Sequence, residues 1–237
     1  MVGIMKITFI SDTHAKHNQV TSSLPGGDVL IHAGDISNKG YRTEIQDFIK
    51  WFSTIENYTH KIFIAGNHDF SCQDEVSVVQ ELLRLNPGSE YLYDDMFLIG
   101  DESADYDDMV KVWGSPWQPE FYNWAFNLPR QGAELKEVWN MIPSDVDILI
   151  THGPPYGHLD YVTYSKQNVG CELLRDRIDL IKPKIHVFGH IHSSYGYKFD
   201  GTTHFFNAAV LDERYNFTQK PLSVEWDPKT NELNFVE

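Results

Sequence analysis

The sequence predicts a layered α/β fold with largely parallel strands, in one domain spanning residues 1–237. Three observations predict it. Short runs rich in β-branched and aromatic residues alternate with stretches whose apolar residues recur at helical spacing, the pattern of strands joined by crossover helices. The middle and the tail are strand-rich, so a second sheet is expected to pack on the first. At 237 residues and 41% hydrophobic, the chain can bury a sizeable core, and it shows no repeat, low-complexity tract or linker.

Lys6-Ile-Thr-Phe-Ile10 reads as a buried strand that ends at a polar turn. Asp28-Val-Leu-Ile-His32 is a second strand. Arg42 to Asn57 places Ile45, Phe48, Ile49, Phe52 and Ile55 on one stripe of an amphipathic helix. Lys61-Ile-Phe-Ile-Ala65 is a third strand, and Val76 to Leu85 is a helix stopped by Asn86-Pro87-Gly88. Tyr91 to Tyr93, Met96 to Ile99 and Val110 to Trp113 are short strands, with a solvated acidic loop from Asp101 to Asp108. Pro116 to Pro129 is aromatic and irregular. A helix over Glu134 to Met141, a strand over Asp147 to Ile150, a helix over Cys171 to Ile181 and a strand over Lys184 to Phe188 resume the alternation. From Tyr195 onward, short strands turn at Asp200-Gly201 and Pro228 to Asn231.

With 34 acidic and 19 basic side chains, the formal net charge is −15. Such a chain repels nucleic-acid backbones and anionic membranes, and no Lys/Arg cluster offers a counter-patch. Long nucleic acid and membrane partners are therefore not expected. No apolar run approaches the ~20 residues of a membrane-spanning helix. The opening Met1-Val-Gly-Ile-Met-Lys6 lacks a basic segment followed by an apolar one, so no signal peptide is expected. Cys72 and Cys171 are too few for a disulfide framework. The expected location is the reducing cytoplasm. An acidic protein can still handle phosphates by placing cations between its carboxylates and the substrate, and eleven histidines make that route worth pursuing.

The residues just past each expected strand carry the chemistry. Ile10 leads into Ser11-Asp12-Thr13-His14, and His32 into Ala33-Gly34-Asp35. Ala65 leads into Gly66-Asn67-His68-Asp69, Ile150 into Thr151-His152-Gly153, and Phe188 into Gly189-His190-Ile191-His192. The C-terminal ends of parallel strands meet on one edge, where sites are built. Each motif alone is weak, because a histidine or a Gly-polar pair after a strand is usually a turn. Five in order at strand ends make independent turns implausible and point to a metal site. Carboxylate, carboxamide and imidazole donors without cysteine suit Mn, Fe, Zn, Ni or Mg. The donors outnumber what one ion needs, so two ions are expected, with Asp35 as the natural bridge.

Asp12-x-His14, Gly34-Asp35, Gly66-Asn67-His68-Asp69, His152 and Gly189-His190-x-His192 resemble the signature of the calcineurin-like metallophosphoesterases. Gly114-Ser-Pro-Trp117, Trp124-x-Phe126-Asn-Leu-Pro129, Thr151-His-Gly-Pro-Pro155, Gly170-Cys171, Tyr195-Gly196 and Asn207-Ala208 resemble its metallophosphoesterase-domain-containing subgroup. These features run from near residue 7 to near 226. The resemblance implies an αββα sandwich of two mixed sheets. It implies Asp12, His14 and His192 on a first ion, Asn67, His152 and His190 on a second, and Asp35 between them. It implies His68 beside the substrate as the group that stabilises or protonates the leaving oxygen, with Asp69 orienting it. Many members carry a further acid after the Gly-Asp pair. The run Gly34-Asp35-Ile36-Ser37-Asn38 lacks it, which distances the chain from the nuclease and protein-phosphatase branches without removing a ligand.

Other residues are read more plainly. His32 and His186 lie inside strands as core or supporting groups, His60 is exposed, and Cys72 is a buried thiol. His17, His158 and Asn207 are candidates to face the substrate, and His204 is unassigned. Trp113, Trp117, Phe121, Tyr122 and Trp124 form either a base-stacking wall or a packed loop over the core. The expected activity is hydrolysis of small phosphodiesters, cyclic nucleotides first, by in-line attack of a metal-bridging hydroxide, with manganese favoured and a homodimer possible. The alternative is a metal- and nucleotide-binding regulatory protein with weak turnover.

Overall fold

The computed structural model describes residues 2–101 and 103–236. Met1 and Glu237, the ends of the expected domain, and Glu102, in the expected acidic loop, lie outside the described residues. In chain order the elements are β1 (Met5–Ile10), β2 (Gly27–Ala33), α1 (Arg42–Ser53), β3 (Tyr58–Ile64), α2 (Phe70–Asp74), α3 (Val76–Leu85), β4 (Glu90–Tyr91), β5 (Asp95–Ile99), β6 (Val110–Ser115), β7 (Gln118–Pro119) and β8 (Asn127–Leu128). They continue as α4 (Ala133–Met141), β9 (Ile148–Thr151), β10 (Tyr161–Val162), β11 (Gln167–Asn168), α5 (Glu172–Ile181), β12 (Ile185–Phe188), β13 (Gly196–Phe199), β14 (His204–Asn207), β15 (Leu222–Trp226) and β16 (Leu233–Phe235).

Two six-stranded mixed sheets form, ordered β16-β15-β1-β2-β3-β4 and β13-β14-β12-β9-β6-β5. Their central strands carry apolar residues on both faces, which suits strands covered on both sides. Ile7, Phe9, Val29, Ile31, Ile62 and Ile64 of the first sheet meet Val112, Ile148, Ile150 and Val187 of the second in the layer between the sheets. The opposite faces, with Leu30 and Phe63, pack under Ile45, Phe48 and Phe52 of α1 and Val79 and Leu82 of α3. Leu149, Phe188 and Phe205 pack under Leu135 and Trp139 of α4 and Leu174 and Ile178 of α5. The order of layers is helices, sheet, sheet, helices, as the resemblance implied. No helix among the described residues is long and apolar enough to cross a membrane.

Several boundaries differ from the sequence reading. Helix α1 stops at Ser53 rather than Asn57, and β3 starts at Tyr58 rather than Lys61. Lys61 explains both: its Nζ donates to the carbonyls of Ser53 and Ile55, each at 2.7 Å, and so caps the freed end of the helix from the next strand. The single turn of α2 and the two-residue pairs β7–β8 and β10–β11 were not expected, because elements this short carry no readable period.

The two sheets present their strand ends together. Strands β1, β2, β3 and β4 run parallel, as do β6, β9, β12 and β14. A parallel bridge between Ser11 and Ala209 ties the segment after β1 to the one after β14. Gly189 N–H donates to His152 O and Asp12 N–H to Gly34 O, both at 2.9 Å.

Candidate metal centre

Of the five turns after β1, β2, β3, β9 and β12, those after β1, β2 and β12 are wound tightly. Asp12, His14, Asp35 and His190 all have φ between +42° and +66°. A non-glycine residue in this left-handed region costs on the order of 1–2 kcal/mol, and such strain collects at functional sites. The glycines beside them are there for room. A side chain on Gly34 (φ +96°) would meet His152 Nδ1 and Ala65 O, one on Gly66 would meet Asp35, and one on Gly189 would meet Asp12 and Ser11.

The turns bring all seven expected ligands together with His68. Asp35 Oδ2 lies 3.7 Å from His14 Nε2, 3.3 Å from His152 Nε2 and 4.0 Å from His68 Nε2. Asp12 Oδ1 lies 3.3 Å from His192 Nε2 and 3.9 Å from His14 Nε2. The Asp12 carboxylate also accepts the His190 backbone N–H. His152 Nε2 is 3.0 Å from Asn67 Oδ1. Donor atoms of Asp12, His14 and His192, of His14, Asp35 and His68, and of Asp35, His152 and His190 fall within 4.8 Å of one another in each trio.

The imidazoles are aimed from behind. His152 Nδ1–H donates to Ala33 O at 2.9 Å, and His192 Nδ1–H to Asp212 O at 2.9 Å. These bonds fix the tautomer and turn Nε2 inward, the usual support for a metal-binding histidine. As a result His14 Nε2 and His192 Nε2 face each other at 3.4 Å beside Asp12. Burial would raise Asp12 and Asp35, but His192 and His152 respectively hold their carboxyls below the usual range. Burial would lower His152 and His192, yet the same two carboxylates raise them to about 9. For His14 and His190 burial prevails, and they fall to about 4 and about 3. Ionised carboxylates, a carboxamide oxygen and inward imidazoles, with His152 and His192 giving up their Nε2 protons as a cation enters, make an N/O donor set that fits divalent ions of the Mn, Fe, Zn, Ni or Mg kind.

The structure corrects several expected roles. Asp69 does not touch the His68 ring. Its carboxylate accepts N–H groups of Ile36 (3.1 Å), Ser37 (2.9 Å) and Gly66 (2.8 Å), and so binds the loop after β2 to the loop after β3. Burial, with the charge of Asp35, pushes Asp69 up to about 6. The partner that orients His68 is Asn38, whose backbone carbonyl takes the Nδ1–H at 2.8 Å. His17 packs on Trp51 and Phe48 and pairs with Asp47 at 3.2 Å, away from the cluster. His158 stacks on Phe205 with centroids 4.0 Å apart. Asn207 is buried and donates to Ile191 O at 2.9 Å, bracing the loop that carries His190 and His192. None of these three lines the cavity at the cluster.

His32 and His186 are supporting groups, as read from sequence. His32 Nε2 meets Thr13 Oγ1 at 3.0 Å, and His186 Nε2 meets Thr151 Oγ1 at 2.8 Å. The aromatic stretch divides. Trp117 packs into the core, whereas Trp124 stacks on His68 with centroids 4.1 Å apart and Phe121 sits edge-on to His190. Tyr215 was missed. It packs against His14 and His192 at 4.8 and 5.4 Å, on a turn that no ligand motif marks.

A two-sheet sandwich with Asp, Asn and His side chains gathered at its strand ends defines the class of metal-dependent phosphoesterases. The chain belongs to the calcineurin-like phosphoesterase family, whose model matches residues 5–194. It is 39% identical over 237 residues to metallophosphoesterase domain-containing protein 1 of Homo sapiens, an alignment covering 94% of this chain and 71% of that protein. The Mus musculus protein of the same name gives the same identity and coverage. Among solved structures, TT1561 of Thermus thermophilus is similar at a TM-score of 0.64 and 14% identity over 99% of each chain, a likeness of fold. The family is metal-dependent, and the donor set of this chain is consistent with that.

Proposed function

We propose that the chain, as a single domain, hydrolyses small phosphodiesters at a centre of two divalent ions, with manganese favoured and 3′,5′- or 2′,3′-cyclic nucleotides the first substrates to try. The observation that carries this reading is the place of Asp35, whose carboxylate lies between His14 on one side and His152 on the other. Asp12, His14 and His192 would hold one ion and Asn67, His152 and His190 the other, with Asp35 shared. When bound, such ions lower the pKa of water and neutralise phosphate oxygens.

The chain's own groups supply the rest. The Trp124 face and the Asn38 carbonyl hold the His68 ring so that Nε2 points toward Asp35; in the imidazolium form, with Nδ1–H kept on Asn38 O, the ring can give its Nε2 proton to the departing oxygen. Asp69 acts at one remove, by fixing the loops that carry Asn38 and Asn67. The cavity over the cluster is about 410 Å³, a size suited to a small molecule. The net charge of −15 disfavours polyanions. Free, buried Cys72 and Cys171 support a reducing, cytoplasmic setting.

The test is a screen of the manganese-loaded protein against cyclic nucleotides, mononucleotides, dinucleotides and oligonucleotides, beside metal analysis of Asp35→Ala. Cleavage of small diesters with about two ions per chain, lost in Asp35→Ala, is the expected outcome. Full activity in Asp35→Ala, or rapid degradation of long nucleic acid, would overturn the reading. Tight nucleotide binding without turnover would point instead to a regulatory protein.

A further inference from the structure

Beyond the cluster, the cavity continues beneath the loop from Pro116 to Pro129 and beside the β10–β11 hairpin. Its walls there include Phe121, Val162, Tyr164 and Ile191. Phe121 meets His190 edge-on with centroids 5.5 Å apart, so this apolar wall begins at the cluster itself.

A buried polar side chain borders this space. Gln118 lines the cavity, is 2% exposed, and its Oε1 has no protein partner. The orientation of its amide is dictated by Asn127. Asn127 Nδ2 donates to Phe121 O at 3.3 Å and Tyr122 O at 2.8 Å, and its Oδ1 accepts Phe121 N–H at 3.3 Å. Gln118 must therefore turn Nε2 toward Asn127 Oδ1, at 3.4 Å, which leaves Oε1 as an acceptor without a protein donor. Gly153, also lining the cavity, lies alongside: a Cβ there would sit 3.8 Å from Oε1. A buried amide oxygen without a donor costs about 1–3 kcal/mol, a cost relieved when a ligand supplies the donor.

Charge gives the second restriction. Among the described residues lining the cavity, Arg130 is the one arginine or lysine, and it is already engaged. Its Nη1 donates to Gly170 O at 2.7 Å and Glu172 at 2.9 Å, and its Nη2 to Val169 O at 2.6 Å. Glu120 and Glu213 line the same cavity. Outside the cluster, then, a second anionic group on a substrate would meet carboxylates and no free cation.

We propose that this half of the cavity selects the organic group of the substrate: an uncharged group with flat apolar surface and an N–H or O–H donor for Gln118 Oε1, with Glu120 and Glu213 rejecting a further anion. This specificity rests on the phosphoesterase reading and narrows it to esters of a single phosphate. Polyphosphates and carboxylate-bearing esters are poor ligands on this assignment.

The test uses three benzylphosphonates, whose C–P bond resists hydrolysis, carrying a 4-carbamoyl, a 4-dimethylcarbamoyl or a 4-carboxylate group. Their Kd values are measured by calorimetry on the manganese-loaded full chain. The carbamoyl compound should bind at least about tenfold tighter than either of the others, one tenfold step being about 1.4 kcal/mol. Gln118→Leu should bring the carbamoyl and dimethylcarbamoyl compounds within about twofold of each other, and Gln118→Met replaces it if the leucine variant does not fold. Glu120→Gln with Glu213→Gln should narrow the gap to the carboxylate. Equal affinities in the unmutated protein, or a carbamoyl preference that survives loss of the Gln118 amide, would overturn the assignment. Release of nitrophenol from bis(4-nitrophenyl) phosphate is measured separately. Ranking without turnover refutes the enzyme and keeps the selective pocket, while turnover without ranking refutes the pocket alone.

Discussion

His68 donates its Nδ1–H to the carbonyl of Asn38 at 2.8 Å, and the face of the same ring lies on Trp124 with centroids 4.1 Å apart. These two contacts fix the ring's plane and keep a proton on Nδ1, so Nε2 looks toward the donor cluster and serves as an acid in the imidazolium form. Groups outside the cluster thus hold His68 even though it stands within 4.0 Å of the Asp35 carboxylate.

His68→Gln is therefore expected to keep both ions and to retain nucleotide binding, while losing about 10²–10⁴ in turnover. The loss should be greatest for esters with a ribose hydroxyl as leaving group. It should be smaller for nitrophenyl esters, whose oxygen departs without a proton. Metal content by mass spectrometry and kcat for the two ester types check this. A variant short of one ion, or one slowed equally on both esters, would make His68 a ligand rather than an acid.

Asp212 has two parts to play around His192. Its backbone carbonyl accepts His192 Nδ1–H, and its Oδ1 accepts the N–H groups of Arg214 and Asn216 at 2.9 and 2.8 Å. The side chain thereby shapes the turn that lays Tyr215 against His14 and His192. Asp212→Ala leaves the carbonyl but loosens its turn. Supporting groups behind a metal-binding histidine are worth about 10–100-fold in affinity, so a loss near the low end is expected for one of two ions. Titration of the metal-free variant should show one weakened and one unchanged site. Unchanged affinity at both would deny Asp212 this role.

The types and order of the residues that cluster at the strand ends were legible in the sequence because each β-branched run ends at a Gly, Asp or His. The directions of the side chains were not. Asp12, His14, Asp35 and His190 adopt positive φ without being glycine; Asp and His are enriched there among non-glycine residues, but that weak preference does not single out these positions. The left-handed run through His14 and Ala15 carries His17 away toward Trp51 and Phe48, so nearness in sequence to Asp12 and His14 misled. Asp69 misled similarly: it adjoins His68, yet its carboxylate turns to the amides of Ile36 and Ser37. The Asn38 and Asp212 carbonyls are backbone atoms and leave no residue signature. The sandwich was more readable, since its strands and longer helices show their periods plainly, whereas β7, β8, β10 and β11 are two residues each.

Gly189 shows how little space the centre leaves. It precedes His190, and a Cβ on it would overlap the Asp12 carboxylate and Ser11 Oγ. Both lie on the segment after β1 and are fully buried, so neither can step aside. Gly189→Ala should lower stability by about 1–3 kcal/mol through overpacking and displace Asp12 from His192. The expected readout is a reduced Tm together with loss of one ion. A variant with normal Tm and two ions would mean the β1 and β12 loops yield more easily than their hydrogen bonds imply.

His158 offers a measurement of pH dependence independent of the ligands. Its ring stacks on Phe205 near His186, its Nδ1 is buried without a partner, and burial lowers it to about 4, with Lys198 and Arg175 adding to the effect and Asp200 and Asp179 opposing it. In the unfolded chain a histidine titrates near 6.5. Above that pH both states are neutral at this position, and the fold keeps its full stability. As pH falls from about 6.5 toward 4, the unfolded chain takes up a proton that the fold does not, so stability declines by at most about 1.4 kcal/mol per pH unit from this group. His158→Phe preserves the stack and removes the titration. Thermal unfolding of both metal-free proteins across pH 7 to 4.5 isolates it, since every other histidine is shared. The variant should gain on the parent steadily below pH 6.5; parallel curves would place the His158 ring in water rather than on Phe205.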